Sequence, residues 1–104
     1  MKMYRQGDVL VERVEGVDLD GCETVPPRDD GSVVLAYGEA THHDHTVSAA
    51  HAAMLAKGAE RFLRVTKPAV LRHQEHAPIQ LKPGTYSVVI QREYSPEAIR
   101  NVLD

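Results

Sequence analysis

Glycine and proline residues recur at short intervals along the chain, and this pattern restricts the possible folds more than any other feature. Between them lie short runs rich in β-branched and aromatic residues, the clearest being 8–14, 32–37 and 86–94. In the last run Tyr86 and Val88 recur at two-residue spacing, as in a strand with one buried face. Short strands separated by glycine and proline turns are typical of small barrels and sandwiches. The sequence therefore predicts a mainly β fold of that kind.

Several connections can be predicted as well. Residues 26–31 are dense in turn formers and end in Asp-Gly, which favours a tight reversal. Lys67-Pro68 separates two apolar runs, 62–66 and 69–73, and we expect these runs to form two short strands paired with each other. Lys82-Pro83-Gly84-Thr85 predicts a further turn before the last strand.

Two stretches have helical character. Residues 48–57 are rich in alanine and stop at Gly58, but they also suit a hairpin of alanine-rich strands, and propensity alone leaves both alternatives open. At the C-terminus Ser95-Pro96-Glu97 resembles an N-cap followed by a first-turn proline and an acid, with apolar residues from Ile99 to Leu103 on one side. This pattern predicts a short C-terminal helix.

Composition and charge restrict the classes of protein to which this chain can belong. A chain of 104 residues, 42% hydrophobic and 26% charged, is expected to form a single β domain over 1–104. Its net charge is −3 with neutral histidines, and no basic block is present, so nucleic-acid binding is not expected. There is no signal-peptide or membrane-spanning run, and the lone Cys22 agrees with a reducing compartment. We therefore expect a cytoplasmic protein without membrane association.

Histidines are concentrated in two short windows, 41–45 and 73–76, which hold five of the six. In a strand, His43 and His45 point the same way with Cα atoms about 6.5 to 7 Å apart, so both can reach one ion. His73 and His76 lie three apart at the end of an apolar run, where a turning backbone can aim both rings inward. The pattern predicts a divalent transition metal held by these four residues, with zinc favoured and iron, nickel or copper as alternatives.

Carboxylates and an arginine accompany the predicted ligands. Glu39 and Glu75 are the nearest acids, and each could ligate, orient a histidine or act as a catalytic base on metal-bound water. Arg92 could hold an anionic substrate near the metal, although an ion pair with Glu93 or Glu97 is the favoured interpretation.

Other interpretations of the histidines remain open at this point. They could form a pH-sensitive surface or serve metal-free acid-base catalysis. His51, alone among alanines, is expected to be a partly buried packing residue. The spacing of His73 and His76 is one residue short of H-x-x-E-H, so a metalloprotease helix of that type is excluded. A cupin site is the nearest general analogue, because it also places an H-x-H pair on a barrel strand.

Several elements together resemble a family of small bacterial and phage-associated proteins to which no activity is assigned. The matching elements cover most of the chain: 6–10, 38–45, 73–79, 83–86 and 91–96. Members of that family carry the same H-x-H and H-x-E-H elements, whereas the position of His42 is commonly glycine. The resemblance therefore implies that His43, His45, His73 and His76 are the site residues and that His42 is not.

Two hypotheses for function follow. The first is a metal-binding protein that uses histidines from two segments, with cupin-like chemistry on a small-molecule substrate. The second is a non-catalytic accessory or interaction module with structural or surface histidines. An open coordination position would favour the enzyme, and a closed four-ligand site would favour the module. Exposed strand edges also make homodimer formation an expectation to be tested.

Overall fold

Strands dominate the structure, a computed structural model that describes residues 2–36 and 44–91. These residues form ten strands and contain no helix. In chain order the strands are β1 (Met3–Gln6), β2 (Val9–Val14), β3 (Glu23–Val25), β4 (Ser32–Ala36), β5 (His45–Ser48), β6 (Ala52–Lys57), β7 (Glu60–Val65), β8 (Ala69–Leu71), β9 (Ile79–Leu81) and β10 (Gly84–Ile90).

Six of these strands form an antiparallel sheet in the order β1-β2-β10-β7-β6-β3. At its centre Val88 of β10 lies opposite Val11 of β2, and Tyr86 lies opposite Leu63 of β7. These four residues are buried, and the intervening residues of β2 and β10 are more exposed. The two-residue alternation seen in the sequence thus directs one face of this sheet into the core.

The second layer consists of two strand pairs, β4 with β5 and β8 with β9. An isolated antiparallel bridge between Thr46 and Arg72 connects β5 to β8. Both backbone hydrogen bonds of this bridge are present: Thr46 N donates to Arg72 O at 3.0 Å, and Arg72 N donates to Thr46 O at 2.8 Å. The four strands therefore lie side by side and face the larger sheet.

One hydrophobic core fills the space between the layers. Its buried members come from both layers: Val9, Val11, Ala52, Met54, Leu63, Val65, Tyr86 and Val88 from the six-stranded sheet, with Val33, Leu35, Ala36, Val47, Ala69, Leu71 and Leu81 from the second layer. The protein is a mainly β, sandwich-like single domain, which confirms the fold class expected from the sequence.

The pairing predicted for residues 62–66 and 69–73 is wrong. β7 pairs with β6 and β10, whereas β8 pairs with β9. After Val65 the backbone N–H groups of Thr66 and Lys67 both donate to the carbonyl oxygen of His51, at 2.8 and 3.3 Å. These bonds hold the connection beside the start of β6, and β8 then lies in the other layer.

The alanine-rich stretch 48–57 is neither a helix nor a hairpin. It consists of the last residue of β5, a turn closed by a hydrogen bond from His51 N to Ser48 O, and β6. Ala52 and Met54 are buried at two-residue spacing, so packing of a strand against the core overrides the helix propensity of alanine. His51 is half-buried in this turn, as expected.

The C-terminal helix predicted from residues 95–103 lies outside the described residues. Within 2–36 and 44–91 there is no helix with the length and apolarity needed to span a bilayer.

Candidate functional site

The bridge between β5 and β8 brings the two histidine segments together. Thr46 and Arg72 form a hydrogen-bonded pair, so the next pair along the antiparallel strands is His45 opposite His73. Such a non-hydrogen-bonded pair brings side chains closer than a hydrogen-bonded pair does. The centroids of the two imidazole rings are 4.3 Å apart, with the ring planes tilted by 36°.

His76 joins these two rings from the turn that follows β8. Its ring centroid lies 4.6 Å from that of His73 and 6.1 Å from that of His45. Within the turn the backbone N–H of Glu75 donates to His73 Nδ1 at 3.0 Å. Three of the four histidines predicted as metal ligands therefore lie in one cluster, which we call the histidine cluster: His45, His73 and His76.

The position of His45 within this cluster determines its charge. Its side chain is almost fully enclosed, with 4% exposure for the residue as a whole. Burial, followed by the nearby His73, lowers the pKa of His45, and the carboxylate of Asp8 acts in the opposite direction; the net result is a pKa of about 4. Asp8 Oδ1 lies 3.6 Å from His45 Nε2, but this contact is an ion pair only when the imidazole is protonated. Because the pKa is low, His45 is neutral near pH 7.

The last residue of β1 contributes a glutamine side chain to the surroundings of the cluster. Gln6 is buried, with 2% exposure. Its side-chain Nε2 donates to the carbonyl oxygens of Leu71 at 3.0 Å and Ala77 at 2.9 Å, and its Oε1 lies 2.8 Å from His45 Nδ1. Leu71 and Ala77 flank the segment that carries the other two histidines. One side chain therefore connects both histidine segments to the edge of the six-stranded sheet.

Gly7 allows this turn to approach the histidines. Its φ of 61° lies in the left-handed region, which glycine adopts without steric cost. A Cβ atom at this position would lie 2.8 Å from His76 Nε2 and 3.2 Å from His45 Cε1. The absence of a side chain thus lets the backbone of the turn approach two of the three rings closely.

Sequence reasoning missed Gln6, Gly7 and Asp8 as components of the cluster. They precede a β-branched run and look like an ordinary strand connection. Nothing in the local pattern relates them to histidines about 40 to 70 positions away. A polar residue buried at the end of a strand is the signal that would have identified Gln6, and it becomes visible only after folding.

The other residues predicted for the site do not join the histidine cluster in the described part of the structure. His43, Glu39 and Arg92 lie outside the described residues. Glu75 is exposed, and its described contact to the cluster is through the backbone. Among residues 2–36 and 44–91, no three His, Cys, Asp or Glu side chains are already arranged so that they could hold a metal ion. The rings are adjacent, but their nitrogens do not yet converge.

Comparison with known protein families identifies the family to which the chain belongs. A family model described as Domain of unknown function (DUF8820) matches residues 5–91. The chain belongs to this family. The DUF8820 match spans Gln6 to Asp8 and all three residues of the histidine cluster, and it ends just before Arg92. No curated protein and no solved structure matches the chain.

Proposed function

We propose that this protein binds a divalent transition metal through histidines from two segments of the chain, with His45, His73 and His76 as ligands. The observation that carries the proposal is the burial of a neutral imidazole, His45, against two further imidazoles. Metal ligation requires the neutral form of histidine, and the low pKa of His45 favours that form near pH 7. Zinc is the favoured metal, and iron, nickel and copper also accept imidazole ligands.

The exposure of the other two rings supports this proposal. His73 is half-buried and His76 is exposed, so both side chains have room to rotate. Because Gly7 has no side chain, the β1–β2 turn lies against His76 Nε2 and His45 Cε1 without blocking these atoms. Rotation of these rings would let their nitrogens converge with His45 Nε2. From the sequence, His43 remains the proposed fourth histidine, since it lies two residues before His45.

The catalytic form of this proposal is a small-molecule enzyme with a cupin-like use of the metal. Glu39 and Glu75 are its proposed acid-base residues, and Arg92 is its proposed contact to an anionic substrate. Glu75 adjoins the cluster in sequence and is exposed to solvent, which suits a group that meets a substrate. An open coordination position is what this form requires.

The second candidate function is a non-catalytic accessory or interaction module. Two observations favour it: His73 Nδ1 already accepts a hydrogen bond from the backbone of Glu75, and the described side chains do not form a metal-holding set. In this candidate the three adjacent imidazoles stabilise the part of the sandwich where β5 meets β8. A wild-type chain that binds no metal would favour this candidate, and a bound metal with an open coordination position would favour the enzyme.

The remaining expectations from the sequence stay proposals. They are a cytoplasmic location, origin in bacteria and their phages, absence of nucleic-acid partners, and assembly as a homodimer through exposed strand edges. β1 and β3 are the outer strands of the six-stranded sheet and are the candidates for such an edge.

Elemental analysis of protein purified without an affinity tag tests the proposal. Wild type is compared with His45→Ala and His73→Ala, and with His51→Ala as the control histidine in the turn before β6. We expect about one metal ion per chain in wild type and His51→Ala, and loss of the ion in the other two variants.

Cobalt reconstitution of the wild-type chain provides a second measurement that does not depend on folding of the variants. Visible absorption bands of histidine-bound Co²⁺ are expected to appear with a one-to-one end point. A wild-type chain that takes up neither zinc nor cobalt would instead support the non-catalytic module. In the elemental analysis, equal metal content in wild type and all three histidine variants would overturn the assignment of ligands.

A further inference from the structure

The hydrogen bonds of Gln6 determine which way its amide points. Both N–H groups of Nε2 are used by carbonyl oxygens, those of Leu71 and Ala77. Carbonyl oxygens accept hydrogen bonds and cannot donate them. The reversed amide would place Oε1 against two other acceptors in a buried site, which is strongly unfavourable. Oε1 must therefore be the atom that faces His45 Nδ1 at 2.8 Å.

This orientation fixes the tautomer of His45. An amide oxygen can only accept, so His45 Nδ1 carries the proton and donates to Gln6 Oε1. In a neutral imidazole the other nitrogen, Nε2, then bears the lone pair. The neutral imidazole in water prefers the opposite tautomer, so the protein selects the less common form. This second nitrogen is the ring atom that lies beside the carboxylate of Asp8.

Asp8 and His45 Nε2 then present two acceptors to each other. Their separation is 3.6 Å. Two ligands bound to one tetrahedral ion at 2.0 to 2.1 Å each would be about 3.3 Å apart. Two acceptors at this distance repel each other, and a cation or a proton between them removes the repulsion. The spacing therefore suits a shared metal ion.

We infer that the β1–β2 turn is the third segment of the site, in which Gln6 is a positioning residue that holds His45 with Nε2 directed at the ion and Asp8 supplies a carboxylate ligand. This inference rests on the proposed function for the role of Asp8, whereas the role of Gln6 can be tested without metal. A carboxylate added to imidazoles suits zinc or iron(II), and it disfavours copper(I), which prefers thiolate and thioether ligands.

Nitrogen NMR of the metal-free, histidine-labelled protein at pH 7.5 tests the role of Gln6. The signals of His45 are assigned by their absence from His45→Ala. In wild type we expect Nδ1 in the protonated range and Nε2 in the unprotonated range. In Gln6→Met the proton should shift to Nε2 in a large fraction of molecules. Gln80→Met, which changes an exposed glutamine of β9, should leave the His45 signals unchanged.

Zinc affinity, measured by competition with a chromophoric chelator, tests both residues in the same proteins. We expect Gln6→Met to weaken zinc binding about 10- to 100-fold, the range found when partners that orient metal ligands are lost. Asp8→Asn should weaken it at least as much, whereas Glu15→Gln, which removes an exposed carboxylate, should not change it.

Each result has a defined meaning. A wild-type His45 with its proton on Nε2, or with both nitrogens protonated, would overturn the role of Gln6, even if Gln6→Met fails to fold. An Asp8→Asn variant that binds zinc like wild type would overturn the role of Asp8. If the tautomer is as expected but wild type binds no zinc, the proposed metal site fails together with the Asp8 ligand, and the positioning of His45 by Gln6 stands.

Discussion

His45 and His73 occupy opposite positions on adjacent strands, with their ring centroids 4.3 Å apart. Their neighbours Thr46 and Arg72 exchange both backbone hydrogen bonds, so strand register, and not the flexibility of a loop, places the two imidazoles together. Register is a property of the folded backbone that remains when a side chain is changed. Either of these two imidazoles can therefore be replaced while the backbone that carries the other keeps its position.

Replacing Gly7 with alanine should damage both stability and the position of His76. The positive φ predicts a loss of about 1 kcal/mol in the free energy of unfolding, because alanine is strained in that region. The added Cβ, 2.8 Å from His76 Nε2, should also displace that ring and weaken zinc binding. Denaturant unfolding and zinc competition measure the two effects.

Gly58→Ala is the matched control for this change. Gly58 has a φ of 63°, nearly that of Gly7, but an added Cβ there would meet no atom within 4 Å. We expect a similar loss of stability with unchanged zinc affinity. If both alanine variants bind zinc equally well, the space beside Gly7 has no role in the site.

The metal-free protein should lose stability in mild acid through His45. Its pKa is 6.5 in the unfolded chain and about 4 in the folded protein, so the unfolded chain binds the additional proton between these values. Stability is fully present above pH 6.5 and falls as the pH is lowered towards 4, by at most about 3 kcal/mol for this residue. Unfolding by denaturant at a series of pH values measures the slope.

Other ionisable side chains surround the ring, namely those of His73, His76, Asp8 and Asp44. Comparison with a His45→Asn variant therefore isolates the contribution of His45 to the pH dependence. The difference in stability between the two proteins should depend on pH between 6.5 and 4. Parallel curves for wild type and variant would show that His45 is protonated equally in both states, contrary to the prediction.

The core between the layers should be intolerant of cavities. Leu63 is fully buried and lies opposite Tyr86 on one side and Met54 on the other. Leu63→Ala should reduce the free energy of unfolding by about 2 to 5 kcal/mol, since both transfer energy and packing are lost. Val89→Ala, at a position that is 47% exposed, should cost less than about 1 kcal/mol. Comparable losses in the two variants would contradict the assignment of the core.

Local sequence patterns were sufficient for about half of the strands and insufficient for their partners. The alternation around Tyr86 and Val88 predicted β10, and the turn formers at 26–31 predicted the connection between β3 and β4. The pairing of 62–66 with 69–73 was wrong because hydrogen bonds to His51, distant in sequence, decide where the chain leaves the sheet. Such contacts leave no local pattern.

The site shows the same division. Ligand chemistry and spacing identified His45, His73 and His76 as a set, and the structure brings their rings together. Gln6 and Asp8 could not be found in this way, because their relation to the histidines depends on β1 lying at the edge of one layer beside the end of β8. Long-range packing supplies this information, and spacing along the chain does not.

The Thr46–Arg72 bridge joins two strand pairs that otherwise have separate ladders in the described part of the chain. A connection of two hydrogen bonds can open locally while the six-stranded sheet stays intact. The amide protons of Thr46 and Arg72 should then exchange with solvent deuterium faster than those of β7 and β10. A ligand that binds His45 and His73 together would slow this exchange. The amide protons of Thr46 and Arg72 would therefore report whether a ligand occupies the histidine cluster.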